Sequence, residues 1–266
     1  MNKLTIEEVH SAILGAMKDI DRVCKEHGIQ YMALAGTMLG AVRHKGYIPW
    51  DDDIDIGIKR EDYYKFLEIY EQYRNPRYEI FEYSQRDDFY NQFAKISDSK
   101  TRIIDDWGRI TPGLGVAVDI FPIDYVSSKN IKLKNKYMLF LIKQLHLSLG
   151  APSGRKGVTL LKKIARPIIA PRNYKYYLQK IDKFATRENN SPSADLAGAF
   201  STGVGMPMLC EREVYDSFVD LDFEDMKLTT VKEYDHYLTH MYGDYMQLPK
   251  EEDRIAHLAT SYWVEE

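Results

Sequence analysis

The sequence predicts an α/β (α+β) fold, in which helices pack against a mixed sheet. Helical and strand periodicities alternate along the first half of the chain, which is typical of such folds. The hydrophobic fraction of 44% and the charged fraction of 29% are ordinary for a globular protein with a buried core. We expect a single domain over 1–266, with a basic helical insertion at about 127–190 and a C-terminal helical part at about 210–266.

The first predicted element is a long amphipathic helix. Thr5 and Glu8 form a capping-box pattern, and apolar residues follow at helical spacing as far as Gly28, a typical helix stop. The apolar run 31–35 predicts a strand, which leads through a Gly-Thr turn at 36–37 into a short helix.

Strand and helix patterns then alternate. Residues 53–58 alternate aspartate with isoleucine, the period of a strand, and 60–73 carries the apolar stripe of a helix. Thr230 and Glu233 predict a second capping box, for a helix that ends at Gly243. Further strands are predicted at 78–83, 92–96 and 116–121.

The composition also bears on the compartment. The first residues contain no apolar segment typical of a signal peptide, and no run reaches the roughly eighteen uncharged apolar residues of a spanning helix. Two cysteines, Cys24 and Cys210, favour a reducing compartment without a disulfide framework. We therefore expect a cytoplasmic protein.

Charge is distributed unevenly along the chain. The formal net charge is −4, yet 129–187 contains fifteen Lys or Arg and one acid, Asp182, which gives this segment +14. Such segregation favours contact with a polyanion or an anionic membrane. Within it, 158–169 interleaves aliphatic and basic residues, as segments in a lipid interface do. The alternative is a solvated basic helix pair packed on the core. No further motif indicates nucleic-acid binding.

The most informative segment is Trp50-Asp51-Asp52-Asp53-Ile54-Asp55-Ile56. On a strand, Asp53 and Asp55 project from one face and the isoleucines from the other. Two carboxylates on a rigid strand form a platform for Mg²⁺ or Mn²⁺, which prefer oxygen ligands. A solvated acidic turn is the alternative for any Asp-x-Asp pair, and the alternation with isoleucine favours the platform. Whether Asp51 and Asp52 contact metal or shape the turn stays open.

A third carboxylate is predicted at Asp119, alone in the apolar run 116–121. An isolated aspartate in such a run is costly to bury without a partner, so we expect it to complete a two-metal site. The alternative is a strand-end acid hydrogen-bonded to the backbone, an interpretation that suits Asp124 better.

A phosphate site is predicted beside these acids. Gly36, Thr37 and Gly40 provide backbone that an anion can approach, followed by a helix N-terminus. Arg43 and Lys95 are candidate phosphate partners, and each has the alternative of being a surface cation.

These residues resemble the signature of a known family. Residues 35–55, Ala-Gly-Thr-Met-Leu-Gly-Ala-Val-Arg-His-Lys-Gly-Tyr-Ile-Pro-Trp-Asp-Asp-Asp-Ile-Asp, closely resemble that of the LicD phosphocholine transferases, to which fukutin and fukutin-related protein are distantly related. Residues 118–124, and 242–249 with Arg254 and His257, resemble further family signatures, so the resemblance covers essentially the whole chain.

The resemblance implies a nucleotidyltransferase-like mixed sheet. The glycine turn, the Asp-x-Asp strand and the third acid of that superfamily correspond here to 36–37, to Asp53 with Asp55, and to Asp119. The long interval between Gly36 and Asp53 departs from the broad superfamily pattern. The predicted catalytic and metal residues are Asp53, Asp55 and Asp119. The predicted substrate-binding residues are Gly36, Thr37, Gly40, Arg43, His44, Trp50, Lys95, Arg254 and His257.

The activity implied by the resemblance is transfer of phosphocholine from CDP-choline to a sugar hydroxyl, with release of CMP. The implied cofactors are two Mg²⁺ or Mn²⁺ ions, and the implied acceptor is a lipid-linked teichoic acid or lipopolysaccharide glycan at the inner face of the cell membrane. The alternatives are a CDP-ribitol or CDP-glycerol donor, nucleotidyl transfer, and a membrane-associated scaffold for glycan assembly. A choline cage requires aromatic faces, for which Trp50, Trp107 and Trp263 are the candidates.

Overall fold

The computed structural model describes residues 2–104, 111–150, 170–202, 206–254 and 260–264. It confirms the predicted fold class, a mixed sheet flanked by helices. The helices, in chain order, are α1 (Ile6–His27), α2 (Ala35–Arg43), α3 (Arg60–Tyr73), α4 (Ile131–Ser148), α5 (Tyr174–Ala185) and α6 (Tyr234–Tyr242). The strands are β1 (Tyr31–Ala33), β2 (Ile54–Lys59), β3 (Tyr78–Phe81), β4 (Ala94–Asp98), β5 (Thr101–Ile104), β6 (Ala117–Val126), β7 (Leu196–Gly198), β8 (Cys210–Glu211), β9 (Phe218–Phe223), β10 (Met226–Val231) and β11 (Thr260–Trp263). Short 3₁₀ helices lie at Thr186–Glu188, Phe200–Thr202, Met206–Met208, Arg212–Tyr215 and Glu251–Asp253.

Helix α1 forms as its sequence predicts. The Thr5 hydroxyl accepts a hydrogen bond from the backbone N–H of Glu8, and the Glu8 carboxylate accepts one from the backbone N–H of Thr5. Gly28 ends the helix with φ 65°, a left-handed conformation that glycine adopts without strain. The apolar stripe of α1 packs on the sheet beside α3 and contributes Ile13, Met17 and Ile20 to the core.

The central sheet has the strand order β1-β2-β6-β4-β3, and β7 and β8 extend it from the far part of β6. Strands β2 and β6 run parallel, whereas β1 pairs with β2, and β4 with β6, in antiparallel fashion. Two separate antiparallel pairs, β9–β10 and β5–β11, lie outside this sheet. Strand β6 is therefore the central strand, between β2 and β4.

Strand β6 extends to Val126, beyond its predicted end at residue 121. Pro122, which has no N–H, normally excludes a central strand. Here β4 pairs with β6 as far as Ile120, and β7 begins to pair with β6 at Asp124. Pro122 falls in the interval between these two partners, so the strand continues while its neighbour on that side changes.

The helical part predicted for about 210–266 is corrected by the structure. Among the described residues of this part, β8, β9, β10 and β11 accompany the single α-helix α6. Thr230 lies in β10, paired with Val219, and therefore does not cap α6. Glu233 occupies the cap position without a side-chain hydrogen bond, whereas Gly243 does end α6. Short alternating segments rich in Val, Leu and Thr favour this hairpin over a helix.

Helices α4 and α5 lie within the segment for which a basic helical insertion was predicted. They pack against each other and form a second apolar cluster with the end of β6. The segment 158–169, with its interleaved aliphatic and basic residues, lies outside the described residues. Among the helices that the structure does describe, none has both the length and the apolar composition required to cross a bilayer.

A buried ion-pair network joins α5 to the sheet. The guanidinium of Arg60, at the start of α3, donates to both carboxylate oxygens of Asp124 in β6, at 2.9 and 2.6 Å, and to Asp182 in α5 at 2.7 Å. The Arg60 side chain is 8% exposed and that of Asp124 is fully buried. Asn189 donates a further bond to Asp124. Asp124 is therefore an anchor within the strand, not the backbone-bonded turn acid that the sequence suggested.

We predict that Arg60→Met lowers the free energy of unfolding by about 3–5 kcal/mol, because it leaves a buried carboxylate without its cation. Urea unfolding followed by circular dichroism measures this change. The control is Arg187→Met, which removes a guanidinium that is 44% exposed and paired with Glu188. Its expected cost is about 1 kcal/mol or less. Equal losses in the two variants would show that the network does not anchor α5.

Candidate functional site

The strand order brings two predicted acids and a predicted cation side by side. Asp55 in β2 is in register with Asp119 in β6, and Asp119 is in register with Lys95 in β4. Side chains of paired residues project from the same face of a sheet, so these three form a row across adjacent strands. Lys95 forms an ion pair with Oδ1 of Asp119, which rules out the alternative of a simple surface cation. The isoleucines of β2 project to the opposite face and are fully buried.

Asp53 lies just before β2, since the strand begins at Ile54 and not at residue 53 as predicted. It belongs to an acidic loop, 51–53, in which one carboxylate oxygen from each residue lies within 4.8 Å of the others. Such a group of oxygens has the chemistry of a site for a divalent ion. The structure therefore adds Asp51 and Asp52, which the sequence left open, to the residues able to contact a metal.

Two neighbouring segments hold the acidic loop in place. Nε2 of His10, in α1, lies 2.6 Å from the carbonyl oxygen of Asp51 and donates to it. The His10 ring stacks on Tyr47 with centroids 3.9 Å apart. The carboxylate of Glu224, between β9 and β10, accepts the backbone N–H of Tyr47 at 3.0 Å. His10 was not predicted from the sequence, although a titratable residue on the half-buried side of α1 was a usable signal.

The glycine-threonine pair belongs to the first turn of α2, which begins one residue earlier than the predicted turn. The Thr37 hydroxyl accepts the backbone N–H of Asp55 at 2.8 Å and so fixes the start of β2. A Cβ at Gly36 would lie 2.6 Å from Oδ2 of Asp51, so glycine leaves room for that carboxylate. A Cβ at Gly40 would lie 2.5 Å from the carbonyl oxygen of Gly46. This close approach of the backbone explains the glycine by itself, whether or not a phosphate binds there.

Negative charge is concentrated at this edge of the sheet. Loss of water around its carboxylate, followed by the charges of Asp51 and Asp119, raises the pKa of Asp53 to about 7. Burial and the charge of Asp53 raise the pKa of Asp55 well above its usual range. Burial also raises the pKa of Asp119, against the opposing effect of Lys95. A site that disfavours ionisation of its own acids gains from a bound cation.

Two cavities flank the acidic loop. The acidic cavity, about 290 Å³, is lined by Asp52, Asp53, Lys95 and Asp119, and by apolar residues that include Val9 and Ile103. The aromatic cavity, about 600 Å³, is lined by Trp50, Tyr242 and Tyr245, by the cations Arg43 and Lys250, and by Gly36 and Asp51. The loop 51–53 therefore contributes side chains to both cavities.

The two arginines predicted to bind substrate hold the chain around the aromatic cavity. Arg43 donates to the carbonyl oxygen of Tyr245 at 2.7 Å, and Arg254 donates to that of Pro249 at 3.0 Å. The Arg254 guanidinium also lies over the Trp50 ring, 5.4 Å from its centroid. A guanidinium has five N–H donors, so these bonds leave further donors on each. His44 contacts the edge of Trp50 rather than lining the cavity.

Of the aromatic-cage candidates, Trp50 lines a cavity. Trp263, in β11, donates its indole N–H to Glu8 at 3.1 Å and so belongs to the support of α1. Trp107 and the predicted substrate-binding residue His257 lie outside the described residues. Tyr242 also lines the aromatic cavity and was not predicted from the sequence as a site residue. Burial and then the charge of Asp55 raise its pKa.

Comparison with known proteins gives matches along the whole chain. Residues 28–140 match the family model described as LicD/FKTN/FKRP, nucleotidyltransferase domain. The chain is 29% identical to the lipopolysaccharide cholinephosphotransferase LicD of Haemophilus influenzae, over 97% of each protein. It is 47% identical to an uncharacterised protein of Rickettsia typhi over 24% of this chain and 21% of that protein. It is 48% identical to human ribitol 5-phosphate transferase FKRP over 15% of this chain and 8% of that protein.

The matched region contains α2, the acidic loop and the row formed by Asp55, Asp119 and Lys95. The resemblance seen in the sequence is confirmed: residues 28–140 match the nucleotidyltransferase-domain model of LicD, FKTN and FKRP, and 97% of the chain aligns with the Haemophilus influenzae LicD protein.

Proposed function

We propose that this protein transfers phosphocholine from CDP-choline to a sugar hydroxyl of a lipid-linked teichoic acid or lipopolysaccharide glycan. The observation that carries this proposal is its similarity, over 97% of both chains, to a lipopolysaccharide cholinephosphotransferase. The short match to a ribitol 5-phosphate transferase supports the broader class, transfer of a phosphoalcohol. Within that class, CDP-ribitol and CDP-glycerol are the alternative donors.

The carboxylates suit a divalent metal. Asp53, Asp55 and Asp119 offer hard oxygen ligands, and Asp51 and Asp52 lie beside them. Burial raises the pKa of all three of the former, and the charges of neighbouring acids add to it at Asp53 and Asp55. We propose that Asp53 and Asp55 hold two Mg²⁺ or Mn²⁺ ions and that Asp119 binds one of them. Bound metal would offset the charge of the donor diphosphate and of the departing CMP.

Asp119 is suited to act on the acceptor. Its carboxylate lines the acidic cavity, and Lys95 fixes it through Oδ1. In the proposed reaction the sugar hydroxyl gives its proton to Asp119, and its oxygen bonds to the phosphorus that carries choline. The phosphoanhydride bond breaks, and CMP leaves with the bonding electrons. Lys95 is then a positioning residue for Asp119.

The two cavities suit different substrates. The larger, aromatic cavity combines the cations Arg43 and Lys250, which pair with phosphate, with rings that can stack on cytosine or lie over a quaternary ammonium. Its volume of about 600 Å³ is in the usual range for a site of nucleotide size. The acidic cavity contains Asp119 and Lys95. We therefore assign the donor to the aromatic cavity and the acceptor hydroxyl to the acidic cavity.

The product of the reaction tests the proposal. Purified protein, CDP-choline, Mg²⁺ or Mn²⁺ and a lipid-linked glycan fraction are expected to release CMP, and EDTA is expected to abolish the release. Chromatography of the nucleotides separates CMP from pyrophosphate. Pyrophosphate release from a nucleoside triphosphate would instead indicate nucleotidyl transfer. CMP release only from CDP-ribitol or CDP-glycerol would keep the mechanism and discard choline.

Substitution of the third acid tests its role. Asp119→Asn keeps the shape of the side chain and removes its charge, so we expect turnover to fall about 100-fold or more. Asp225→Asn is the control, because Asp225 is 67% exposed and pairs with Lys18. Initial rates of CMP release at saturating donor measure both variants. An Asp119→Asn enzyme that kept more than about a tenth of the wild-type rate would refute this role.

Substitution of Arg43 tests the assignment of the cavities. Arg43→Gln removes a charged donor from the aromatic cavity, so we expect KM for CDP-choline to rise about tenfold or more. KM for the acceptor should change little. Arg22→Gln, on the surface of α1, is the control and should alter neither constant. A rise confined to the acceptor KM would reverse the assignment of donor and acceptor.

A further inference from the structure

Helix α4 carries an apolar stripe on its outward face. Leu133, Tyr137 and Phe140 recur at helical spacing and are 68%, 44% and 52% exposed. Leu139, 43% exposed, lies on a different side of the helix, beyond the lysines. Single exposed apolar residues are ordinary, but three at this spacing form a continuous stripe.

The same face of α4 is cationic. Lys132, Lys136 and Lys143 are exposed, and the helix contains no acidic residue. Within the described part of the chain, the ion pairs involve none of these three lysines, whereas Lys134 on another side pairs with Glu188. The outward face thus combines a stripe of lysines with a stripe of large apolar side chains.

Most of the packing within the helix pair does not involve the outward apolar stripe, although the Tyr137 ring meets that of Phe184 in α5 with centroids 4.7 Å apart. That packing uses the opposite face of α4, where Met138, Leu141, Ile142 and Leu145 are buried against α5 and its surroundings. Helix α5 adds the exposed residues Tyr176, Lys180 and Lys183 to the surface of the same pair.

We propose that the outward face of α4 docks on an anionic lipid bilayer. A polyanion alone would pair with the lysines and leave the leucines and phenylalanine in water. A protein partner would cover the apolar stripe, but the cores of protein interfaces are depleted of lysine. An anionic bilayer accommodates both the lysines and the apolar stripe, since its headgroups attract lysine while its acyl boundary takes up Leu, Phe and Tyr. This inference is independent of the reaction proposed above.

The docking face is remote from the acids along the central strand. Asp119 is near the start of β6, whose last residue, Val126, precedes α4. The seven residue steps from Asp119 to Val126 span about 23 Å of extended strand. Substitutions on the outward face of α4 should therefore leave turnover of a water-soluble acceptor unchanged, which separates docking from catalysis.

Vesicle flotation of the full chain tests the proposal. We expect binding to phosphatidylcholine vesicles that contain phosphatidylglycerol, weaker binding at high salt, and little binding to phosphatidylcholine alone. Lys132→Glu/Lys136→Glu/Lys143→Glu should weaken binding about tenfold or more. Leu133→Asn/Phe140→Asn, which keeps every charge, should also weaken it. The control Lys3→Glu/Lys65→Glu/Lys232→Glu makes the same change in net charge at exposed lysines elsewhere and should bind as the wild type does.

Three results would overturn the proposal. The first is a wild-type protein that does not float with anionic vesicles. The second is equal binding by the α4 variants and the control, which would attribute attraction to net charge alone. The third is a wild-type dimer in light scattering that Leu133→Asn/Phe140→Asn converts to monomer, which would make the face an interface between two copies. Circular dichroism verifies that each variant is folded.

Discussion

The position of β6 between β2 and β4 is the constraint on which the site depends. Its register places Asp119 beside Asp55 on one side and beside Lys95 on the other. A shift by one residue would turn Asp119 toward the isoleucine face, where a charge has no partner. Burial and then mutual repulsion raise the pKa values of Asp53 and Asp55, which marks an electrostatic cost that the fold tolerates. The rest of the chain offsets that cost through buried isoleucines behind the acids and through His10 and Thr37 beside them.

The C-terminal end of β6 has a structural role. There Asp124 forms an ion pair with Arg60, and Arg60 also pairs with Asp182, which joins the strand to α5. One strand therefore carries the candidate active site near its start and the anchor of the α4–α5 pair near its end. Pro122 lies between the two, where the strand exchanges β4 for β7 as its neighbour. The same strand thus connects the two parts of the chain that we assign to chemistry and to docking.

The sequence predicts local features well and long-range partners poorly. The capping box of α1, the left-handed Gly28 and the acid-isoleucine alternation are all visible within a few residues and were predicted. The Thr230 capping box was wrong because strand pairing with β9 outweighed a local pattern. His10 was missed and Asp124 misjudged because their partners, the Asp51 carbonyl and Arg60, are 41 and 64 residues away in the sequence. Such contacts follow from strand order, which periodicity alone does not specify.

The position of the acidic loop between two cavities matches the geometry that phosphoryl transfer requires. In phosphoryl transfer the entering and leaving oxygens lie roughly in line, on opposite sides of the phosphorus. A donor in the aromatic cavity and a hydroxyl in the acidic cavity would approach from the two sides of the loop, with Asp51 on one side and Asp53 on the other. The segment 243–250 forms a wall of the donor cavity. Arg43 holds this segment through a hydrogen bond to the Tyr245 carbonyl. Arg43 lines the donor cavity and not the acidic cavity. Through its bond to the Tyr245 carbonyl it would nevertheless help to hold the donor in line with the hydroxyl beside the acids.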